Sequence, residues 1–191
     1  MNYLGHIYLS NNDFDLAVSN LFGDFVKGNQ HLAFSETIQK GVLLHRKIDS
    51  YIDNHHSVKS LLEILRPELP KVAPIAIDIY FDHLLAKNWE QFHPTKYPLF
   101  LQQFYTVAQQ KYTDFPPKFK LFITQLVTNN WLQHYPTDYG LDKMCRGVST
   151  KLSFENAQNQ GFDVFKTHEN AINIAFHEYM QDANEYFIIQ L

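Results

Sequence analysis

The chain has 191 residues, 45% of them hydrophobic and 15% aromatic, with 16 Phe and 11 Tyr. That is enough for one domain with a substantial core, taken here as residues 1–191, and short of what usually forces a second. A formal charge of −4 argues against a general nucleic-acid binder, and the single Cys145 excludes an intrachain disulfide or a thiolate metal cluster.

Strand-like alternation is scarce and a period of 3.6 dominates, so the expected fold is an all-α, multi-helix bundle. Helices are predicted over 2–10, 13–27, 35–55, 57–66, 73–91, 97–112, 117–134, 138–152 and 167–189, with 153–166 read as a loop. No run approaches the ~18 apolar residues of a membrane span. The start, MNYLGHIYLSNNDF, lacks the basic opening and small-residue cleavage site of a signal peptide. A cytoplasmic location without a membrane partner is the expectation.

The first helix holds His6 with Tyr3 and Leu9 one turn to either side. A lone His in such a setting is more often a hydrogen-bonded core residue than a ligand. The second carries Asn20 and Asp24 one turn apart, flanked by Leu21 and Phe25; Asp24 alone could cap or pair with Lys27. Ser35 is a plausible N-cap for the third. A rotation of about 100° per residue groups Ile38, Gly41, Val42, Ile48, Asp49 and Ile52 around His45. His45 and Asp49 thus lie within the apolar stripe, while Lys40, Lys47 and Ser50 point away. Gly41 on that stripe permits close approach of a neighbouring helix or a substrate. Asp53, His55 and His56, at the helix end, are expected to be solvated.

Pro67 and Pro70 precede the fifth helix, which is apolar nearly all round and so reads as central. Asp78 and Asp82 are one turn apart on it, and two like charges at that spacing call for a cation or a shared proton. His83 lies about a quarter-turn from Asp82. Pro94, Pro98, Pro116, Pro117 and Pro136 punctuate the remainder. His31, His93, His134, His168 and His177 have no acidic neighbour at helical spacing on an apolar face and are read as surface or structural.

A carboxylate on an apolar helix face is costly unless something positive compensates it. Core ion pairs could absorb these acids only with buried cations, and Arg46 and Arg66 are the nearest candidates. Several acids joined by imidazoles point instead to a divalent-metal centre. A His-plus-carboxylate set without Cys suits Mn²⁺, Fe²⁺, Co²⁺ or catalytic Zn²⁺. Such a centre acidifies water and polarises phosphoryl or acyl oxygens, as in phosphoester hydrolysis. The sequence has no phosphate-cradling glycine loop, no nucleophile elbow and no reactive Cys–His pair.

Four segments, MNYLGHIYLS, NLFGDFVKG, GVLLHRKIDSYIDNH and IAIDIYFDHLLAKNW, together resemble the acyl carrier protein phosphodiesterases, also called holo-acyl-carrier-protein hydrolases. The resemblance covers most of residues 1–90 and is looser beyond, including LDKMCRGVSTKLSF. It implies an all-α fold similar to the HD phosphohydrolases. It also implies removal of 4′-phosphopantetheine from the carrier serine, with Mn²⁺ as activator. Carried over residue by residue, His6 resembles the first His of the HD pattern, Asp24 the Asp of its central pair and Asp82 the distal Asp. Gly23 stands where the pair's His belongs, and His45 is the candidate replacement. The expected metal ligands are therefore His6, Asp24, His45 and Asp82. Asp49, Asp78 and His83 remain ligands, acid–base groups or supporting residues, with His45 or His83 as proton donor to the departing serine.

The partner so implied is an acidic carrier protein, for which outward Lys40, Arg46, Lys47 and Lys59 would form a docking patch. Lys118 with Lys120, or Arg146 with Lys151, are rival patches, and such residues are more often simply solvated. An HD-like nucleotide phosphohydrolase and a non-catalytic helical binding protein are the competing readings.

Overall fold

The computed structural model describes residues 1–111 and 115–188, all helical apart from turns and loops. The α-helices are α1 (Tyr3–Tyr8), α2 (Phe14–Leu21), α3 (Glu36–Asn54), α4 (His56–Leu65) and α5 (Ala73–Lys87). They continue as α6 (Trp89–Phe92), α7 (Tyr97–Lys111), α8 (Pro117–Thr128), α9 (Asp138–Ser149) and α10 (Gly161–Phe187). One contiguous core runs through them, from Leu4 and Ile7 to Phe176 and Phe187. No helix among the described residues is long and apolar enough to cross a membrane.

Several predicted helices are shorter or broken, each for a local reason. The 13–27 segment leaves α-geometry at Leu21 and tightens into a 3₁₀ turn, Phe22–Phe25, which carries Asp24. Asn88 separates α5 from α6 within the predicted 73–91 helix. Asn130 adopts φ 45°, ψ 49° and splits the 117–134 segment into α8 and a 3₁₀ turn, Trp131–His134. Asn tolerates that left-handed conformation because its short side chain bonds locally. In the opposite direction, α10 begins at Gly161, inside the predicted loop, because Val164 and Phe165 are buried. It kinks at His168. Residues 112 and 189, the last of two predicted helices, lie outside the described residues. Ser35 does precede α3, without a side-chain capping bond.

Central α5 packs against α1, α4, α9 and α10, as its all-round apolar surface requires. It also fixes α1. A helix start leaves its first N–H groups without partners, and Asn2, at the N-cap of α1, makes no side-chain cap. Asp82 reaches across instead: its oxygens accept from the backbone N–H groups of Asn2 at 3.1 Å, Leu4 at 2.7 Å and Gly5 at 3.0 Å. The carboxylate is fully buried, and burial pushes it up to about 7, against the pull of the nearby N-terminal ammonium and the Leu4 and Gly5 N–H groups. A neighbouring face of α5 is tied by His83, whose Nδ1 donates to the Tyr135 carbonyl at 2.7 Å.

The closest crossing, α2 on α3, turns on Gly41. A Cβ there would lie 2.7 Å from the Asn20 backbone nitrogen, so only glycine lets α2 approach. The neighbour admitted by Gly41 is a helix rather than a substrate.

Removing the Asp82 carboxylate leaves three enclosed N–H groups unpaired. Asp82→Ala should therefore lower unfolding free energy by about 3 kcal/mol or more in urea denaturation. An unchanged midpoint would show that α1 is held by other means.

Candidate active site

Three segments converge on one acidic cavity: α1 with His6, the 22–25 turn with Asp24, and α3 with His45 and Asp49. The FGDF sequence explains how Asp24 is held out. Phe22 and Phe25 each pack against Phe119 with ring centroids 5.1 Å apart, leaving Asp24 at the cavity edge. Arg46 locks the following loop by donating to the Gly28 carbonyl at 2.6 Å.

Asp49 joins the two imidazoles. Its Oδ1 lies 3.3 Å from His6 Nε2 and its Oδ2 lies 3.2 Å from His45 Nε2. His45 Nε2 is also 3.3 Å from Asp24 Oδ1. The two rings stack with centroids 4.2 Å apart and planes 16° apart, so both ε-nitrogens face the same carboxylate. Both histidines are buried, while Asp24 and Asp49 are about half-exposed toward the cavity.

The tautomer of His6 follows from its other neighbour. Asn20 donates its amide hydrogens to the His6 carbonyl at 3.0 Å and the Ser10 hydroxyl at 3.1 Å, so its oxygen faces the ring. His6 Nδ1 then donates to that oxygen at 2.9 Å, leaving the Nε2 lone pair directed at the cluster. Burial lowers the His6 pKa, with Asp49 opposing and His45 reinforcing the shift. Burial acts the same way on His45, but Asp24 and Asp49 outweigh it and raise its pKa to about 9. Asp49 is held far below the usual carboxylate range, because both imidazoles overcome the opposing effect of its burial.

Gly23 takes on a definite meaning here. A Cβ at position 23 would lie 2.5 Å from His45 Cδ2, so the His45 ring occupies the space that a side chain at 23 would need. His6, His45 and Asp49 each offer a ligand atom within 4.8 Å of the others, with Asp24 alongside. Imidazole nitrogens and carboxylates without thiolate fit a borderline divalent cation.

The cavity, about 320 Å³, is lined by His6, Asp24 and Asp49 and, farther round, by Asp53 and Asp78. Of the residues expected at a site, the structure brings together His6, Asp24, His45 and Asp49. Asp78 faces the same cavity, with Oδ1 2.6 Å from the Met1 amine. Asp82 and His83 are not brought to it. Both Asp82 oxygens are spent on the start of α1, and His83 is buried on the Tyr135 carbonyl, with its ring edge-on to Phe165. Burial lowers the pKa of His83 and so favours its neutral form.

Asp53, expected to be solvated, also belongs to the cavity. Partial burial and the charges of Asp78 and Asp49 raise its pKa. Its spacing of four from Asp49 was the available signal. His55 is likewise buried rather than solvated. It bridges Ser57 at 2.8 Å and Asp182 at 3.1 Å, tying the α3–α4 corner to α10.

The expected docking patch is already engaged. Lys40 pairs with Glu36 at 2.8 Å, Arg46 holds Gly28, and Lys47 lies 4.5 Å over the Tyr186 ring. Lys59 donates to Asn54 at 3.3 Å.

The fold and this cluster define an all-α protein with a His/Asp centre of metal-ligand chemistry opening on an acidic cavity. The family model described as acyl carrier protein phosphodiesterase matches residues 1–183, and the chain belongs to that family. Its relatives include proteins named acyl carrier protein phosphodiesterase from Enterobacter sp. (strain 638), 36% identical over 120 residues, and Klebsiella pneumoniae (strain 342), 37% identical over 123. Another, from Escherichia coli O139:H28 (strain E24377A / ETEC), is 36% identical over 123 residues. Each alignment covers 62% of this chain and 62% of the relative. No solved structure matches.

The electrostatics yield a pH dependence for metal-free protein. His45 keeps its proton to about pH 9 in the fold, against 6.5 for an ordinary histidine. Its stabilising contribution is complete below the lower value and is lost as pH rises through the upper one. Melting temperature in chelator should fall across that window, and less so in Asp24→Asn. A flat profile would contradict the pairing.

Proposed function

We propose that this protein is a metal-dependent phosphodiesterase that hydrolyses the bond between 4′-phosphopantetheine and the serine of an acyl carrier protein, releasing apo carrier. The observation that carries the reading is the convergence of His6, His45, Asp49 and Asp24 on one open cavity in a member of this family. The names of its relatives support the substrate class. Action in the cytoplasm, a role in lipid metabolism and fatty acid biosynthesis, and kinship with the HD phosphohydrolases go with this reading.

His6 and His45 through Nε2, with Asp49 and Asp24, would hold the divalent ion, for which Mn²⁺ is the proposed species. When bound, such an ion supplies Lewis-acid polarisation of the phosphoryl oxygen and makes water acidic enough to be a nucleophile near neutral pH. The protein does the rest. Asn20 fixes the His6 ring so that Nε2 faces inward. Asp24 and Asp49 draw positive charge to the site while leaving it open on one side.

The departing serine oxygen has a high pKa and needs a proton. His83 does not reach the cavity, and Asp53, which faces it, is the alternative donor: partial burial and the charges of Asp78 and Asp49 raise its pKa above that of an ordinary carboxyl. Asp78, which lines the same cavity, contributes to that rise through its charge. Asp82 acts as a positioning residue, through α1 and hence His6.

Incubation with holo carrier protein, followed by intact-mass measurement, tests the reading. Loss of the prosthetic arm should stop in chelator and return with Mn²⁺. Asp53→Asn should lower kcat by about 100-fold with metal content retained, whereas His45→Ala should lose both turnover and metal. Full activity in chelator, or a wild-type metal content in His45→Ala, would overturn the assignment. Hydrolysis of nucleotides but not of holo carrier would favour the nucleotide phosphohydrolase.

A further inference from the structure

A second cleft adjoins the His/Asp cavity. It has a volume of about 380 Å³ and lies between α9 and the 131–135 turn. Its walls are aromatic and aliphatic: Tyr3, Trp131, Tyr135, Tyr139, Met144 and Val148. Asn2 and Val148 line both this cleft and the acidic cavity, so the two share a wall. Tyr3 lines the cleft next to Asn2, its hydroxyl pushed up to about 12 by burial and by the charges of Asp24 and Asp82.

The two compartments differ in chemistry. One presents imidazoles and carboxylates, and the other presents rings, a thioether and a valine. A ligand spanning both is polar and phosphorylated at one end and apolar at the other. The rim supplies charge as well. Lys143 lies 5.5 Å over the Tyr139 ring and Lys151 lies 5.9 Å over the Trp131 ring, and both residues line the cleft. Neither has a carboxylate partner among the described residues. Ammonium groups held over aromatic faces at a cleft mouth complement an acidic macromolecule docked there.

We infer that this cleft seats the thioester end of the prosthetic arm and the acyl chain attached to it, while the arm's phosphodiester lies at the His/Asp cavity. The inference rests on the carrier-protein phosphodiesterase reading and adds to it a preference for the acylated form. A volume of this size falls within the ~300–1,000 Å³ range of small-molecule sites, where apolar walls give affinity and a few polar groups give orientation. Unacylated arms would fill it only in part.

Gly147 provides a clean test. It lines the cleft, and a Cβ built on it meets nothing within 4 Å, so a large side chain at the cleft wall is accommodated without displacing the core. Trp131 provides a direct probe, because it lines the cleft while Trp89 is 2% exposed and shielded from it. Titration of wild-type protein with S-lauroyl 4′-phosphopantetheine should change Trp131 fluorescence saturably. Gly147→Phe, with an unchanged melting temperature, should weaken that binding at least tenfold. The same substitution should lower the ratio of kcat/KM for lauroyl carrier over unacylated carrier by a similar factor.

Absence of a saturable fluorescence change in wild-type protein overturns the inference, whether or not holo carrier is hydrolysed. So does an unchanged ratio in folded Gly147→Phe. Saturable binding without hydrolysis of any carrier would instead sink the phosphodiesterase reading and leave the cleft as an acyl-pantetheine site.

Discussion

The fully buried carboxylate of Asp82 is the constraint on which the site depends. α1 is only six residues long, too short to be stable by itself, and it begins without a side-chain cap. Three backbone N–H groups at its start converge on Asp82, about eighty residues away in sequence. Because Gly5 is one of the donors, the orientation of His6 is set from the core outward. Asn20, on α2, then fixes the ring itself. A displacement of α5 would therefore reach the cluster through α1.

The cluster shows how one side chain can take the place of another. The His45 ring fills the space over Gly23, and its Nε2 comes within reach of Asp24, the next residue. Two half-exposed carboxylates beside buried imidazoles make a local field that favours cations strongly. In metal-free protein that field is met by a proton on His45. A divalent cation would compete for the same position, which makes the proton and the metal alternatives at one centre.

The helical fold was legible because apolar residues recur at a period of 3.6 nearly throughout the chain, and α5 was recognisable as central from Ile75 to Leu85. The breaks were less so, since Asn88 and Asn130 interrupt segments whose apolar pattern runs on past them. For the site, the face shared by His45 and Asp49 was readable from helical rotation, and their meeting with His6 was not, because it depends on how α1 lies across α3. Asp82 illustrates the limit of such reasoning. A buried acid demands compensation, but one chain read alone does not distinguish a cation from the N–H groups of a distant helix start. His83 was misplaced for the same reason, its partner being a backbone carbonyl at Tyr135. The neutralisation of Lys40 by Glu36 could have been read from their spacing of four, whereas the seat of Lys47 over Tyr186 is purely tertiary.

As proposed, His6, His45, Asp49 and Asp24 would hold a divalent ion rather than stand as a self-contained ion-pair network. Crystals grown with Mn²⁺ and measured for anomalous scattering test it most directly. A strong anomalous peak is expected within coordination distance of both Nε2 atoms and of Asp49, with no peak beside Asp82. A map without density at the cluster, or with the ion on Asp82, would contradict it.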